Sequence, residues 1–393
     1  EKDLESLDSL AEPIIALQGK LNSAEKVAEI FKLSDQLGRT LEKLYSFAHH
    51  RADENTADNT NQGRQQRVMA KYAQISAQTA FVQPEILSHD LETLKKWRNS
   101  DALSEYTYSM DCLIREKPHV LSDKEERLLS MASEVFRVPS NTFNFLTNAD
   151  MKFPDAKDEN GRDKKLTNSS FVKFLENKDR SVRKGAFEKL YDEYIGHKNT
   201  LASTLSGKVK LDNFQATARN YPDALTAALQ PDNIPVKLYE QLISSVHEAL
   251  PSFYEYVDLR KELLGLDKLD MYDHYVPIVP DFQFKVDWDE AKDYVMTACE
   301  PLGDDYLKGV EQCFNNRWID VYETEGKRSG AYSGGCYDSP AYILMNYQGN
   351  LNWVFTLAHE LGHSMHSWLA KQKQSYRDSQ YTIFVAEIAS TTN

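Results

Sequence analysis

Apolar residues recur at every third or fourth position over much of the chain. The first two stretches with this spacing are residues 4–21 and 27–44, and a third covers about residues 63–82. Such spacing places the apolar side chains on one side of an α-helix. The pattern therefore predicts that residues 1–110 form a helical N-terminal region.

Two later segments, about residues 171–220 and 235–264, show the same spacing, with Lys, Glu and Asp on the opposite side. Each segment carries a stripe of aromatic residues. Stripes of this kind usually pack in a core, because large rings bury much apolar surface. We expect these aromatic side chains to be buried: Phe187, Tyr191, Tyr194, Phe253, Tyr254 and Tyr256.

Shorter, strand-like segments interrupt the helical pattern. Within residues 148–168, the dipeptide Asn160-Gly161 separates two short runs, and it favours the tight turn of a β-hairpin. Runs rich in aromatic and branched residues follow at Tyr272–Val279, Phe282–Val286, Trp318–Tyr322 and Ala341–Tyr347. The chain is therefore predicted to be mainly α, with a small β-sheet just before residue 350.

The composition favours a soluble acidic protein. The 393 residues carry a formal net charge of -14, which disfavours nucleic acid or an anionic membrane as a partner. No apolar run reaches the length of about 18 residues that crosses a bilayer. The four cysteines form no C-x-x-C pair and no signal peptide is visible, so we expect a cytoplasmic location. The composition does not indicate the oligomeric state.

Residues 350–370 combine helical periodicity with a cluster of histidines. At 100° per residue, five apolar residues fall within a sector of about 80°, and three histidines lie on the opposite side. The apolar set is Val354, Leu357, Leu361, Met365 and Trp368. We expect a helix that packs on the core by one face and presents its histidines to a cleft from the other.

The histidine face contains an H-E-x-x-H motif. His359 and His363 are one helical turn apart, so both rings can reach a single ion at roughly 2.1 Å. In such sites the glutamate, here Glu360, is the general base: it takes a proton from a zinc-activated water, which attacks a polarised carbonyl. His366 lies roughly 10 Å along the helix from His359, too far to share that ion. It supports the site, faces substrate or is structural.

A catalytic zinc usually has three protein ligands and an open fourth position. Downstream, Glu387 is a single carboxylate within the apolar run of residues 382–391. An unpaired buried carboxylate would be costly there, and a metal would remove that cost. The sequence thus predicts one zinc per chain, held by His359, His363 and Glu387. Pairing of Glu387 with an Arg or Lys is the alternative.

Gly362 lies inside the predicted helix, where glycine costs about 1 kcal/mol relative to alanine. A close approach by another backbone or by a ligand would explain this residue. Simple tolerance would also explain it, so the sequence leaves the role of Gly362 open.

Several motifs together resemble the oligoendopeptidase F family, which belongs with the thimet-oligopeptidase-like zinc peptidases. The strongest are Lys327–Asp338, Tyr342–Tyr347, His359–Ser367 and Phe384–Glu387, with further likeness at the Asn160-Gly161 hairpin and at Met271–Asp273. The likeness covers most of the chain from about residue 110. It implies that His359, His363 and Glu387 bind zinc and that Glu360 is the catalytic base.

The resemblance also implies a fold and a division of the chain. It implies a mainly α, two-lobed zincin-type peptidase with a small β-sheet beside the H-E-x-x-H helix, a deep channel and a bacterial cytoplasmic location. The expected regions are residues 1–110, a lobe over 111–200 with the hairpin, and the catalytic domain over 201–393. The family continues past its third ligand into helices that close the channel and carry an oxyanion-stabilising tyrosine. This sequence ends at Asn393, so we expect that part to lie outside it.

The Gly-rich run before the last predicted strand resembles the family's substrate-contacting wall. The residues implied to contact substrate are Gly330, Ala331, Tyr332, Gly334, Gly335 and His366. An edge strand can hydrogen-bond an extended peptide without reading its side chains. An ordinary Gly-rich hairpin is the alternative. A serine nucleophile at Ser333 fails the G-x-S-x-G pattern, because position 331 is Ala.

Together these features predict a zinc-dependent endopeptidase that hydrolyses internal bonds of oligopeptides. One alternative is a related zincin that trims chain ends, and peptides blocked at both ends would separate the two. Another is an inactive or incomplete helical module, which would bind zinc without turnover.

Overall fold

A computed structural model describes residues 1–279 and 285–392. The chain forms two compact units, one made of Glu1–Pro118 with Phe284–Asn393 and the other of His119–Gln283. The first unit thus combines the N-terminal helical region with the H-E-x-x-H helix. The division at residues 110 and 200 stays a prediction.

The N-terminal part of the first unit is helical, as predicted. Its α-helices are α1 (Lys2–Ile15), α2 (Ala24–Glu54), α3 (Asn59–Thr79), α4 (Val82–Leu87), α5 (Leu91–Arg98) and α6 (Thr107–Glu116), with 3-10 turns at Asp101–Tyr106 and Lys117–His119. Ser23 caps α2, because its side chain accepts a hydrogen bond from the Lys26 N–H. The apolar stripe of α2, which includes Val27, Ile30 and Leu41, is buried. The periodic apolar residues of α2 are therefore the residues that pack in the core.

The second unit is also mainly helical. Its α-helices are α7 (Asp123–Met131), α8 (Ser133–Phe136), α9 (Val138–Phe145), α10 (Asn168–Leu175), α11 (Arg180–Gly196), α12 (Lys198–Ala218), α13 (Ala224–Leu229) and α14 (Val236–Leu263). The predicted hairpin is confirmed: β1 (Ala156–Lys157) pairs antiparallel with β2 (Asp163–Lys164). Gly161 lies in the turn with φ +76°, a conformation that glycine adopts without steric cost.

The prediction of buried aromatic stripes is wrong for much of this unit. Phe253, Tyr254 and Tyr256 of α14 are 55%, 57% and 50% exposed, and Tyr191 of α11 is 43% exposed. Periodicity identifies the apolar side of a helix but not whether another element covers it. Tyr194, in contrast, packs against a small cluster around Ala156 and Leu190.

The strand predicted at Tyr272–Val279 is also wrong. Met271–Asp273 forms a single 3-10 turn instead, and Asp273 is fully buried. Its carboxylate accepts hydrogen bonds from Arg180 and from Arg183, with an Arg183 Nη2 to Oδ1 distance of 2.7 Å. This charge network holds the segment as a turn. The run Phe282–Val286 lies mostly outside the described residues; Lys285 forms an isolated bridge with Asn350.

The C-terminal part of the first unit contains the predicted small sheet. Its elements are α15 (Trp288–Cys299), α16 (Asp304–Asn315), β3 (Ile319–Tyr322), β4 (Tyr332–Gly334), β5 (Tyr342–Tyr347), α17 (Leu351–Lys373) and α18 (Ile383–Thr392). The strand order is β3-β5-β4, with β3 parallel and β4 antiparallel to β5. The predicted strands at 318–322 and 341–347 are confirmed as β3 and β5.

A shared apolar core joins the sheet to the helix with the histidines. Side chains from α15, α16, β5 and α17 form one buried cluster, which includes Val295, Val310, Met345, Leu357 and Leu361. The mainly α fold with a small sheet beside the H-E-x-x-H helix is therefore confirmed. In the part of the chain that the structure covers, no helix is both long and apolar enough to cross a membrane.

Replacing Asp273 with Ala should destabilise the second unit. Arg183 is only 3% exposed, so the change leaves a buried cation without its counter-charge, at a cost of about 3–5 kcal/mol in the free energy of unfolding. Urea unfolding followed by far-UV circular dichroism measures this loss. The matched control is Asp212→Ala, which removes an exposed ion pair with Lys208 and should cost less than about 1 kcal/mol. Equal losses in the two variants would contradict the prediction.

Candidate metal centre

The orientation of α17 follows from its cap and its apolar face. The Asn350 side chain caps the helix by accepting a hydrogen bond from the Trp353 N–H at 3.1 Å. Leu357, Leu361 and Met365 are fully buried against the sheet. The opposite face carries the histidines, as the helical wheel predicts. The side chains of His359 and His363 are 40% and 18% exposed.

Three side chains from two helices converge at this face. The Nε2 atoms of His359 and His363 each lie 3.4 Å from Oε2 of Glu387, which α18 contributes. The ligand atoms of all three residues lie within 4.8 Å of one another. The structure thus brings together the three residues that the sequence analysis selected as a set.

The spacing of these atoms fits a tetrahedral zinc. Two ligand atoms that each lie about 2.1 Å from one ion at a tetrahedral angle are about 3.4 Å apart. Both histidine–glutamate distances have this value. Two imidazoles and one carboxylate are also a donor set that catalytic zinc uses, with one position left open. The residues present therefore suit such an ion.

Glu387 is not the buried carboxylate that the sequence led us to expect. The carboxylate is 63% exposed, so burial of a charge does not make a metal necessary. The alternative partner is not found either: in residues 1–279 and 285–392, no Arg or Lys forms an ion pair with Glu387. The carboxylate instead accepts a hydrogen bond from the buried Ser390 hydroxyl at 2.7 Å. The hydrogen bond from Ser390 is the main cause that lowers the pKa of Glu387, and the two nearby histidines lower it further. These interactions favour the charged form of the carboxylate.

Gly362 explains how α18 comes so close to α17. A Cβ atom at this position would lie 2.5 Å from Cα of Ser390 and 2.7 Å from the carbonyl oxygen of Ala389. The backbone of α18 thus occupies the space that any larger residue would need. Of the two explanations left open by the sequence, close approach of a backbone is confirmed.

Glu360 is a buried charged residue next to the three convergent side chains. It is 8% exposed, and this burial raises the pKa of its carboxyl group. The neighbouring His359 and the backbone N–H of Ser333 act in the opposite direction. Ser333 belongs to β4, and its hydroxyl lies 2.8 Å from the hydroxyl of Ser364 on α17. The Glu360 carboxylate therefore lies next to the backbone of β4.

His366 does not join the three convergent side chains. Its ring stacks on Tyr381, with the ring centroids 3.6 Å apart, and its Nδ1 is buried without a hydrogen-bond partner. Burial lowers the pKa of His366, and it also lowers the pKa of His363. Contact of His366 with substrate stays a prediction.

The Gly-rich run forms a turn and then the edge strand β4. Gly330 has φ +85°, and the carbonyl groups of Arg328 and Gly330 accept hydrogen bonds from the buried Asn346 side chain on β5. A Cβ at Gly335 would lie 2.4 Å from the carbonyl oxygen of Pro340, so only glycine fits. Along the rest of the run, Ala331 packs at the edge of the core and Gly334 lies against His50. Substrate contact by these residues stays a prediction.

Three residues that position the site were not predicted from the sequence. Ser390 could have been found, because it lies three residues after Glu387 on the same helix. The sequence placed Asn346 in a predicted strand but did not indicate that its side chain binds the Gly-rich run. Asp53, which accepts a hydrogen bond from the Tyr332 hydroxyl at 3.0 Å, is 279 residues away in sequence and gave no signal.

Replacing Gly362 with Ala should abolish stoichiometric zinc binding. The added methyl group would push α18 away from α17 and withdraw Glu387 from the two histidines. Elemental analysis of the purified protein, equilibrated with zinc and desalted, measures the effect. The matched control is Gly63→Ala in α3, where nothing lies within 4 Å of the new Cβ. That variant should keep its zinc and gain up to about 1 kcal/mol of stability. Wild-type zinc content in Gly362→Ala would contradict the prediction.

Comparisons with known proteins identify relatives of this chain. The family model described as Peptidase family M3 matches residues 173–393, and the one described as Oligopeptidase F matches residues 85–153. The chain is 43% identical to oligopeptidase PepF of Bacillus subtilis, covering all of this chain and 59% of that protein. It is 39% identical to an oligoendopeptidase F homolog of Lactococcus lactis, covering 95% of this chain and 62% of that protein. The chain thus spans about three-fifths of the length of these curated relatives.

The chain also resembles solved structures of peptidases. A crystal structure of a candidate peptidase from Chlamydophila abortus matches 98% of this chain and 67% of its own, with a TM-score of 0.89 and 30% identity. Oligoendopeptidase F from Enterococcus faecium matches 99% of this chain and 64% of its own, with a TM-score of 0.63 and 28% identity. With the family model covering more than half of its residues, the chain belongs to Peptidase family M3.

Proposed function

We propose that the protein is a zinc-dependent endopeptidase that hydrolyses internal peptide bonds of oligopeptides. The observation that carries this proposal is the convergence of His359, His363 and Glu387, with Glu360 beside them. Membership of Peptidase family M3 and the oligopeptidase names of the relatives support the reaction and the substrate class. Because the chain spans only part of those relatives, the activity of the whole protein is itself part of the proposal.

One zinc per chain would be held by two imidazole nitrogens and one carboxylate oxygen. Bound zinc supplies a Lewis acid that acidifies water and polarises a carbonyl group. The protein's part is to fix the donor atoms. The core packing of α17 fixes the histidines, and the Ser390 hydroxyl orients Glu387. Hydrogen bonds from neighbouring groups to ligands commonly tune metal affinity in this way.

Glu360 would act as the general base. Its burial raises the carboxyl pKa, which makes the carboxylate a stronger proton acceptor than an exposed glutamate. Glu360 cannot be replaced in this role by Glu387, whose carboxylate is occupied by Ser390 and faces both histidines. Glu360 takes a proton from the attacking water and can return it to the leaving amine.

Strand β4 would bind the substrate backbone. In the described parts of the chain, β4 pairs with β5 alone, so its other edge is the one that would pair with an added strand. Backbone pairing suits varied oligopeptides, because it does not depend on their side chains. Gly330, Ala331, Tyr332, Gly334 and Gly335 would form this wall, with His366 nearby on α17.

We also place the protein in the bacterial cytoplasm. All four cysteines, Cys112, Cys299, Cys313 and Cys336, are free thiols. Free thiols suit a reducing compartment. The curated relatives from Bacillus subtilis and Lactococcus lactis are bacterial proteins.

Zinc content and peptide cleavage together test the proposal. Wild type should bind one zinc per chain and cleave an internally quenched peptide. Glu387→Gln should lose the zinc, and Glu360→Gln should keep it while losing at least about 100-fold in kcat, the usual share of general-base catalysis. Glu248→Gln, at an exposed position of α14, is the control that should change neither quantity.

The outcomes separate the competing functions. Cleavage of a peptide blocked at both ends supports an endopeptidase, whereas cleavage of unblocked peptides alone would replace it with an exopeptidase. Stoichiometric zinc without cleavage would leave an inactive or incomplete zinc-binding module. Absence of zinc from the wild type would refute the metal proposal.

Ser390→Ala should weaken zinc binding without removing it. Loss of the hydrogen bond frees the Glu387 carboxylate to rotate, and changes of this kind typically cost about 10- to 100-fold in metal affinity. Competition with a chromophoric chelator measures the affinity. The matched control is Thr391→Ala, because the Thr391 hydroxyl donates to the backbone carbonyl of Glu387 and not to its carboxylate. Equal affinities of the two variants would count against the role of Ser390.

A further inference from the structure

The end of α2 and the residues just after it bind the segment that precedes the Gly-rich run. The backbone N–H of Arg328 donates to the carbonyl oxygen of Asp53 at 2.9 Å, and the backbone N–H of Thr56 donates to the carbonyl oxygen of Gly326 at 2.7 Å. These bonds connect parts of the chain that are about 270 residues apart in sequence. The N-terminal helical region therefore contacts the segment that leads into β4.

Asp53 is the centre of this attachment. It is 6% exposed, and its carboxylate accepts hydrogen bonds from the Tyr332 hydroxyl at 3.0 Å and from Arg328 Nη1 at 3.2 Å. His49 Nε2 lies 3.3 Å from the same oxygen, and the Arg328 guanidinium lies over the Tyr332 ring. A buried carboxylate with this set of donors holds each of them in a defined position.

The position of Tyr332 fixes the direction of the next residue. Successive side chains of a strand point to opposite faces. Tyr332 points towards Asp53, so Ser333 points the other way, where its hydroxyl meets Ser364 at 2.8 Å. The backbone N–H of Ser333 also interacts with the Glu360 carboxylate. Asp53 thus holds one face of β4 while the other face lies against the H-E-x-x-H helix.

Strand β4 has little support of its own. It has three residues, one of them glycine, and in the described residues it pairs on one side only. A glycine-containing edge strand of this length loses its order easily, because it has few ladder bonds and a permissive backbone. Side-chain anchoring from α2 supplies order that the ladder does not.

We propose that Asp53 is a positioning residue that presets β4 to pair with an extended oligopeptide backbone next to Glu360. The proposal rests on the proposed function, since it assigns the substrate strand of that same site. Asp53 touches neither the zinc ligands nor the base. Its effect on substrate passes through Tyr332 and the backbone of β4.

The test compares two equivalent substitutions in the whole protein. Asp53→Asn removes the charge that holds Arg328 and Tyr332. Asp338→Asn is the matched control: Asp338 also pairs with α2, through Arg39 and Lys43, and follows the same Gly-rich run, but it makes no contact with Tyr332. Tyr332→Phe is the second variant. It removes only the hydroxyl group that binds Asp53, so it still tests the proposal if Asp53→Asn does not fold.

Two measurements are made on each zinc-loaded variant in a Glu360→Gln background, which prevents cleavage. The first is amide hydrogen exchange over residues 330–335. The second is the Kd of a fluorescent oligopeptide blocked at both ends. Asp53→Asn and Tyr332→Phe should each raise exchange over residues 330–335 and weaken peptide binding by about tenfold, the scale of one lost charge-assisted hydrogen bond. Combining them should cause little further loss, since both break one connection. Zinc content should stay at one per chain.

Each remaining outcome has a separate meaning. Unchanged exchange in both variants would overturn the proposal, and so would faster exchange with a Kd equal to that of Asp338→Asn. Loss of zinc together with faster exchange throughout the first unit would show a general structural role instead. A zinc-loaded Glu360→Gln protein that binds no peptide would refute the proposed function; the exchange measurement, which needs no peptide, would still show whether Asp53 orders β4.

Discussion

The contact between α17 and α18 at Gly362 is the constraint on which the rest of the candidate site depends. The buried apolar face of α17 holds the ring nitrogen atoms of His359 and His363 in position. The third donor atom belongs to α18, a short helix in which the apolar residues Ile383 and Ile388 are 82% and 58% exposed. The absence of a side chain at one residue of α17 lets the backbone of α18 come close enough for Glu387 to face both histidines.

The sheet supports the opposite side of the site by a different means. Strand β5 is buried almost throughout and joins the core beneath α17, while β4 lies at the sheet edge. Polar bonds from Asn346 and Asp53 restrain β4 and its preceding turn where apolar burial does not. The two walls therefore differ in kind: one helix rests on apolar packing, and the strand facing it rests on directional hydrogen bonds. Packing tolerates small changes of shape, whereas such bonds fix orientation.

Local sequence patterns predicted the features that local geometry controls. The spacing of His359 and His363 on a helix with an opposed apolar face is a property of one turn, so it could be read directly. Glu387 was selected as a lone carboxylate, although it is exposed and a metal is not needed to offset burial. The strand predicted at Tyr272–Val279 failed because Arg180 and Arg183 hold Asp273 in a turn, and those partners lie about 90 residues away. Local patterns did not indicate the role of Asp53 or the exposure of the aromatic residues of α14. Both depend on which distant parts of the chain pack against these residues.

The long α2 helix also affects when the site can form during synthesis. It contacts the Gly-rich segment through Asp53, and through Glu42 it accepts a hydrogen bond from Tyr376, which lies between α17 and α18; these partners are 279 and 334 residues apart in sequence. Contacts of such separation form late, because the intervening chain must first be made and ordered. On the ribosome α2 emerges long before its partners, and the three convergent side chains are complete only once Glu387 has been added. The growing chain therefore passes through its most exposed, unfolded stages before the three convergent side chains can meet.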